Sequence, residues 1–379
     1  MKKALVVLPT YNEAGTIKKL IEDILLQNQK VTNWEIEVLI NDSSSTDDTA
    51  KLVKELQKKY SKKIYLLETK KEGLGKAYHQ AFIYAIEHIQ PFVIIQMDAD
   101  FSHNPNDIPL FLNEIAKGAD MVVGARYIKG GSIPKNWGIH RKILSVFANL
   151  TIRLGFMKLN VHEWTNGYRA IKIWLIKDSL NHIKNYSGYV FQIAMLDYAI
   201  KKGAKLAEIP NNFIDRKYGK SKIFVSQYIL QIFAYIFSYS SFIKFVIVGL
   251  IGFAVDFSFA YLFINKLHIA KALANMYSAE LAIFFNFMLN NFWSFKDKKI
   301  IGGFFAYLIK FITFNFVSSG SIIIQGVGLS LALKFIGDKN FHLFNANISS
   351  WIIYKILIIA FIIIPYSYIL YNKFIWKKS

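Results

Sequence analysis

Cysteine is absent from this 379-residue chain, which excludes disulfides, thiolate zinc sites and cysteine nucleophiles together. Acidic residues are scarce: 26 stand against 46 lysines and arginines, for a net charge of +20. That imbalance points to anionic partners, among which nucleic acid, phospholipid headgroups and diphosphates all qualify. Charged residues of either sign make up only 19% of the chain, hydrophobic ones 53%, and the mean hydropathy is +0.27. This is too apolar for an ordinary soluble enzyme of this size. The N-terminal "MKKALVVLPTYNE" lacks the h-region of a signal peptide, since its apolar run is only about six residues and stops at Pro9. A first strand is expected there instead.

The apolar excess is unevenly placed. Charged residues are spread through the chain to about residue 240, whereas from Phe242 long apolar runs alternate with short basic patches. Four runs, 243–264, 270–292, 304–330 and 344–371, are each long enough to cross a bilayer core of about 30 Å. Before them, residues 223–241 mix aromatic and aliphatic residues with small polar ones, the pattern of an interfacial helix. With four crossings, "FKDKKI" and "NKFIWKKS" fall on the side of the N-terminal domain, and the positive-inside rule puts that side and both termini in the cytoplasm, although Lys266, Lys271, Lys334 and Lys339 in the opposite loops weaken the bias. A faint repeat pairs "IKFVIVGLIGF" with "IKFITFNFVSS" and "NNFWSFK" with "YNKFIWKK". Asp256, Glu280 and Lys355 are costly in lipid and are expected to face the bundle interior, one another or water.

Residues 1–222 alternate strand and helix patterns. Apolar stretches at Ala4 to Leu8, "WEIEVLIND", "KIYLLET", "FVIIQMDAD" and "DMVVGARY" read as strands. Between the first two, Ile17, Leu20, Ile21, Ile24 and Leu25 have helical spacing. The alternation implies an α/β domain with a mostly parallel, Rossmann-like sheet, and such sheets bind ligands at the carboxyl ends of their strands. Four polar clusters fall there: "PTYNE", "NDSSSTD", "DADFS" and "GARY".

In "VIIQMDADFSHNP", Asp98 and Asp100 flank one alanine. On an extended segment both side chains lie on one face, where like charges repel unless a cation sits between them. Hard oxygen ligands of this kind suit magnesium or manganese; a solvated loop is the alternative. Tyr11, Asn12 and Glu13 after Pro9 offer a ring, an amide and a carboxylate to a nucleobase and ribose, with a helix cap as the alternative. Asp42 at the end of the second strand carries the same two readings. "KKEGLGKAYHQ" lacks the spacing of a phosphate-binding P-loop, so Gly73 and Gly75 are expected to permit close backbone approach at a sheet edge. Arg126, Arg141, Arg169, Arg216, Lys220 and Lys222 follow, and arginine forks match phosphate oxygens in bidentate fashion.

Taken in order, "VVLPTYNE", "DADFSHNP", "GARYIKGG", "RKILS", "GYVFQ" and "DRKYGKSK" resemble the dolichyl-phosphate mannose synthase group of glycosyltransferase family 2, over residues 3 to 225. The apolar part, through "FVIVG", Asp256 and "NNFWSF", resembles the GtrA-like four-helix modules. The resemblance implies a glycosyltransferase A-type domain at 1–222, an interfacial helix at 223–241 and a transmembrane domain at 242–379. It places Pro9, Tyr11, Glu13 and Asp42 at the nucleotide, and Asp98 and Asp100 at the donor diphosphate and a divalent metal, Mg2+ or Mn2+. Ser102 would be a third metal contact. Arg126, Arg141, Ser145 and Arg216 would gather the lipid phosphate, with Lys222 near the donor or acceptor phosphates. Asp98, Asp100, Arg126 and Arg216 are thus the implied catalytic set.

The implied reaction is inverting transfer of a hexose, with mannose from GDP-mannose favoured, onto dolichyl or another polyprenyl phosphate at the cell membrane. Glucose from UDP-glucose, or a non-catalytic protein that binds or flips lipid-linked sugars, are the alternatives. A processive polysaccharide synthase would need a Q-x-x-R-W segment, which is missing. No nucleic-acid-binding module is evident, and four spans argue against that partner. Asn41 stands where the family often has aspartate, and Glu163 opens "EWTNGYR" where the family pattern begins with aspartate.

Overall fold

The structure, a computed structural model, describes residues 1–215, 225–343 and 346–377. The chain forms two compact units, Met1–Ile236 and Phe237–Ser379.

In the first unit a seven-stranded sheet runs in the order β3-β2-β1-β4-β6-β5-β7. Its strands are β1 (Lys2–Thr10), β2 (Trp34–Asp42), β3 (Ile64–Glu68), β4 (Val93–Gln96), β5 (Met121–Ala125), β6 (Arg169–Lys172) and β7 (Leu206–Pro210). Strands β1 to β4 pair in parallel, β5 and β7 pair in parallel, and β6 runs antiparallel between β4 and β5. The first helix, α1 (Ala14–Leu26), turns Ile17, Leu20, Ile21 and Ile24 into the core beside Val6, Leu8, Val38 and Ile40, as the spacing requires. Each such burial stabilises by about 1.5–3 kcal/mol. Helices α2 (Thr49–Lys59), α3 (Leu74–Tyr84) and α4 (Ile108–Ala116) complete the crossovers. Then come α5 (Ile139–Gly155), α6 (Ile173–Ile183), α7 (Val190–Lys201) and α8 (Val225–Tyr239).

Three expectations change here. The fourth strand stops at Gln96, so Asp98 and Asp100 lie in the turn beyond it; Phe101, with φ +63°, bends the backbone there. The glycine of "LGK" does permit close approach, but to another loop. Gly75 donates its N–H to the Ser187 carbonyl at 2.8 Å, and a Cβ would stand 1.9 Å from the Tyr186 carbonyl oxygen. Arg169 is fully buried on β6, its guanidinium donating to the carbonyls of Trp164 and Asn166 at 2.8 Å each and to that of Gln192. It therefore ties the chain together from within and takes no part in a phosphate-facing surface.

The segment expected to lie at the interface is helical over Val225–Tyr239, and it seats Tyr235 in the first unit. That ring lies 5.6 Å from Tyr186 and 6.0 Å from Phe156, and its hydroxyl donates to Asp197 at 2.9 Å. Leu230 and Phe233 of the same helix are exposed.

Among its described residues the second unit carries four helices long and apolar enough to cross a membrane, Ser241–Asn265 (α9), Lys271–Ser294, Phe304–Ile336 (α11) and Ser350–Phe374. The second comprises α10 (Lys271–Leu289) and a π turn; the fourth comprises α12 (Ser350–Ile358), a π turn and α13 (Ile364–Phe374). The fourth begins at Ser350, six residues later than the apolar run suggests, because β8 (Asn340–Leu343) and β9 (Ala346–Ser349) form a hairpin before it. Asp338 then accepts from the hydroxyls of Ser349 at 2.7 Å and Ser350 at 2.9 Å. Asp256 is held by the Ser278 hydroxyl at 2.6 Å. Glu280 is exposed. α10 buries Ala274, Ser278 and Ala282, and a residue two positions past Ser278 points to roughly the opposite side of a helix with 3.6 residues per turn.

The two repeated segments meet: Phe295 and Trp376 stack at 4.5 Å with planes 15° apart. Asn291 accepts from the Trp376 indole at 3.0 Å and from the Ile300 amide at 2.8 Å. Asn291→Leu strands both donors, at a cost of about 1–3 kcal/mol each. The expected result is a melting temperature in detergent several degrees lower, measured by tryptophan fluorescence.

Candidate active site

At the carboxyl ends of β1 and β2 two loops are sewn together. Asp42, 2% exposed, accepts from Thr10 Oγ at 2.8 Å, Ser45 Oγ at 2.6 Å and the Ser45 amide at 2.9 Å. Asn12, at φ +58°, accepts from the Thr46 amide at 2.8 Å and donates its own amide to Ser45 Oγ at 2.8 Å. Asn12 is therefore a cross-loop tie and not the cap of α1, whose N-cap is Glu13. The amide of Glu13 donates to Thr49 Oγ at 2.9 Å, and that of Ala14 to Asp47 at 3.1 Å. Burial works to raise the Asp47 pKa, but the Thr49 hydroxyl and the amides of Ala14 and Thr49 outweigh it and hold the carboxyl below its usual range. Beside this seam the ring of Tyr11 lies under Lys71, whose Nζ is 3.5 Å from the centroid. Pro9 pairs with Asn41 across the two strands.

The turn after β4 closes on itself. The Asp98 amide donates to Nδ1 of His103 at 3.0 Å, and the Ser102 amide donates to Asp100 Oδ1 at 3.0 Å. The carbonyl of Ala99 accepts from Thr16 Oγ at 2.9 Å. Asp98 is about two-fifths exposed at its side chain, while Asp100 and Ser102 are buried. Ser102 Oγ is buried without a hydrogen-bond partner among the described residues, a state that normally needs an explanation. No cluster of three or more His, Asp or Glu able to hold a metal occurs among the described residues. Two aspartates and one orphaned hydroxyl suit a cation that takes its remaining ligands from phosphates and water, as Mg2+ commonly does. The residues present thus fit a divalent metal.

Past β5 the chain presents Arg126. Its guanidinium forks onto Glu163, with Nε 2.8 Å from Oε2 and Nη2 2.9 Å from Oε1, and also donates to Thr165 Oγ at 2.7 Å. The two side chains are 8% and 0% exposed. Burial alone would discharge both, yet each other's charge outweighs it: the Glu163 carboxyl is held below its usual range and the Arg126 pKa is raised. The glutamate that opens "EWTNGYR" is thus the partner of Arg126. Around this pair, Tyr127 bonds Ser145 of α5 at 2.6 Å. One helical turn earlier, the Arg141 guanidinium stacks 3.8 Å over Trp137 and lies 3.3 Å from Asp215. Phe213 lies 5.9 Å from Trp137 and 5.7 Å from the Arg126 guanidinium. Arg126, Arg141 and Ser145 are therefore neighbours through Tyr127, Phe213 and Trp137. Arg216 and Lys222 lie outside the described residues.

Helix α5 also exposes Ile139, Ile143, Val146, Phe147, Leu150 and Leu154, spaced as a single stripe. The sequence patterns did not single out this stripe, nor Trp137, Phe213, His103 and Asn166. His103 stands inside the same motif as the two aspartates, which was the one signal available for it.

Residues 5–182 match glycosyl transferase family 2, and residues 244–376 match the GtrA/DPMS transmembrane domain. A dolichol-phosphate mannosyltransferase of Pyrococcus furiosus is 32% identical over 317 residues, covering 82% of this chain and 85% of that protein. A polyprenol monophosphomannose synthase of Mycolicibacterium smegmatis is 31% identical over 223 residues, covering 59% of this chain and 81% of its own. Among solved structures, glucosyl-3-phosphoglycerate synthase of Mycobacterium tuberculosis, in complex with Mn2+, UDP and glucosyl-3-phosphoglycerate, aligns with a TM-score of 0.45 and 18% identity over 62% of this chain and 79% of that one. The motifs at the strand ends, the apolar second unit and the long match to the Pyrococcus protein agree, and the chain belongs to glycosyltransferase family 2, in its polyprenyl-phosphate mannose synthase group, as a multi-pass membrane glycosyltransferase with a GtrA/DPMS transmembrane domain.

Proposed function

We propose that the chain transfers mannose from GDP-mannose to dolichyl or another polyprenyl phosphate, with inversion, at the cytoplasmic face of the membrane. The observation that carries this reading is one sheet edge with two different ends: an acidic turn at Asp98 and Asp100, and a cationic cluster beside an exposed apolar helix stripe. A nucleotide diphosphate sugar suits the first and a phosphate on a long hydrocarbon suits the second. Lysines 296, 298, 299, 373 and 377 at the ends of the spans support this orientation, against lysines 266, 271, 334 and 339 in the opposite loops.

In the transfer, an oxygen of the lipid phosphate attacks the anomeric carbon while the bond to the nucleoside diphosphate breaks. That phosphate is already ionised at neutral pH, so no strong general base is required. Pro9, Tyr11, Glu13 and Asp42 border the nucleotide, with Asp42 acting by holding its loop. Asp98, Asp100 and Ser102 would hold Mg2+ or Mn2+, whose charge offsets that of the departing diphosphate. Arg126, Arg141, Ser145 and Arg216 gather the acceptor phosphate, and Lys222 joins them near the phosphates. Bringing two anions into register is the main catalytic task.

Asp100→Ala is expected to lower transfer of radiolabelled mannose to lipid phosphate by at least about 100-fold, above what loss of a ligand's supporting partner costs, with the protein still folding and inserting. Wild-type-like transfer by that variant sinks the reading, and a preference for UDP-glucose in the same assay replaces its donor. Arg141 and Arg126 separate by burial. Arg141→Ala, at a side chain 46% exposed, should melt as wild type and raise the acceptor KM about tenfold, roughly the loss of one charged hydrogen bond. Arg126→Ala leaves Glu163 buried and unpaired, so a stability loss of about 3–5 kcal/mol is expected by thermal melting.

A further inference from the structure

His103 is fully buried, and its ring is fixed on every side. It stacks on Tyr168 at 4.7 Å with planes 15° apart, and meets the edge of Phe213 at 5.8 Å. Nδ1 receives the Asp98 amide at 3.0 Å, and Nε2 lies 2.9 Å from Asn166 Oδ1 and 3.9 Å from Asp98 Oδ2. The direction of both bonds is determined. Asn166 Nδ2 donates to the Gly124 carbonyl at 2.6 Å and to Asn211 Oδ1 at 3.0 Å, so the oxygen of that amide faces His103. An amide N–H can only donate, so Nδ1 must present its lone pair to Asp98 and the ring proton sits on Nε2.

The chain of bonds does not stop at Asn166. Its backbone amide donates to Glu163 Oε1 at 3.1 Å, and Glu163 forks onto Arg126. One buried series therefore runs from the Asp98 amide through His103, Asn166 and Glu163 to the Arg126 guanidinium. It joins the turn that carries both aspartates to the cation at the other end of the sheet edge.

We propose that His103 is a positioning residue with two separable tasks: its Nδ1 holds the Asp98–Asp100 turn in the shape that binds a divalent cation, and its Nε2 sets that turn in register with Arg126. The inference rests on the reading that the turn takes a divalent metal and Arg126 an acceptor phosphate. The ring touches neither reactant. Its effect passes on one side through the Asp98 amide, held by Nδ1 within hydrogen-bond distance while the Asp98 carboxylate stands farther off at 3.9 Å from Nε2, and on the other through Asn166 and Glu163, in the way that groups behind a metal site orient the ligands in front.

Two substitutions divide the ring between them. In His103→Asn the side-chain oxygen can stand where Nδ1 stands and accept from Asp98, but nothing reaches Asn166. In His103→Gln the amide nitrogen can stand where Nε2 stands and donate to Asn166, but nothing accepts from Asp98. Mn2+ binding to the full-length protein in detergent, read by the electron paramagnetic resonance of free Mn2+, should weaken about tenfold or more in His103→Gln and stay within about threefold of wild type in His103→Asn. The acceptor KM should rise in His103→Asn while the donor KM holds. Equal Mn2+ affinity in wild type and His103→Gln overturns the inference, as does an equal loss in both variants, which would mark the ring as packing only. An unchanged acceptor KM in His103→Asn overturns the second task. If neither variant folds, Asn166→Ala, which leaves the ring stacked on Tyr168, decides by the same acceptor KM, an unchanged value again overturning that task. Absence of Mn2+ binding by the wild type itself removes the underlying metal reading, and this inference with it.

Discussion

A guanidinium and a carboxylate withdrawn from water must face one another, because either alone would be too costly to bury. The Arg126–Glu163 pair is the point from which the rest of this site is hung. Glu163 reaches Arg126 only because its loop is strapped from outside. Glu208 on β7 accepts the amides of His162 and Glu163 at 2.8 and 2.9 Å, and Asn149 of α5 accepts that of Trp164 at 3.0 Å. The pair in turn places Arg126 at the end of β5 and fixes the start of the segment that returns as β6. Remove the charge match and the strap, the antiparallel strand and the ring of His103 lose a common reference.

The two ends of the sheet edge are held by different means, suited to what each must do. On the side of β1 and β2, hydroxyls and backbone amides converge on Asp42, Asn12 and Asp47, making the loops stiff. On the side of β5 and α5, charge is stored: Arg126 is buried in its pair, while Arg141 remains about half exposed over Trp137. The exposed apolar residues of α5 adjoin that charge. A phosphate on a hydrocarbon chain is the kind of molecule for which a cation beside an apolar surface makes physical sense.

Much of this was legible in the residues, and the misses have physical causes. Ile17, Leu20, Ile21 and Ile24 entered the core as their spacing demands, since period alone determines which face of a helix is apolar. Two aspartates one residue apart suggested a shared strand face, but a strand of four residues ended first and a left-handed Phe101 turned the chain. Arg169 looked like one of a row of surface cations; only the insertion of an antiparallel strand between β4 and β5 shows it buried among carbonyls. Glu280 stands exposed because the small residues Ala274, Ser278 and Ala282 occupy the packed face of its helix and leave it on the other.

The sequence by itself determined the α/β class, the boundary near residue 240, the four apolar spans and the residue types at the strand ends, because each depends on local period, length and composition. Tertiary structure alone decided which polar residues are partners. Asp98 and His103 are five positions apart, His103 and Asn166 are 63, and Glu163 and Arg126 are 37; contacts at such separations depend on strand order and on burial. Period and composition do not encode either one. Removal from water gives these bonds their strength and direction, and it exists only once the sheet has closed over them.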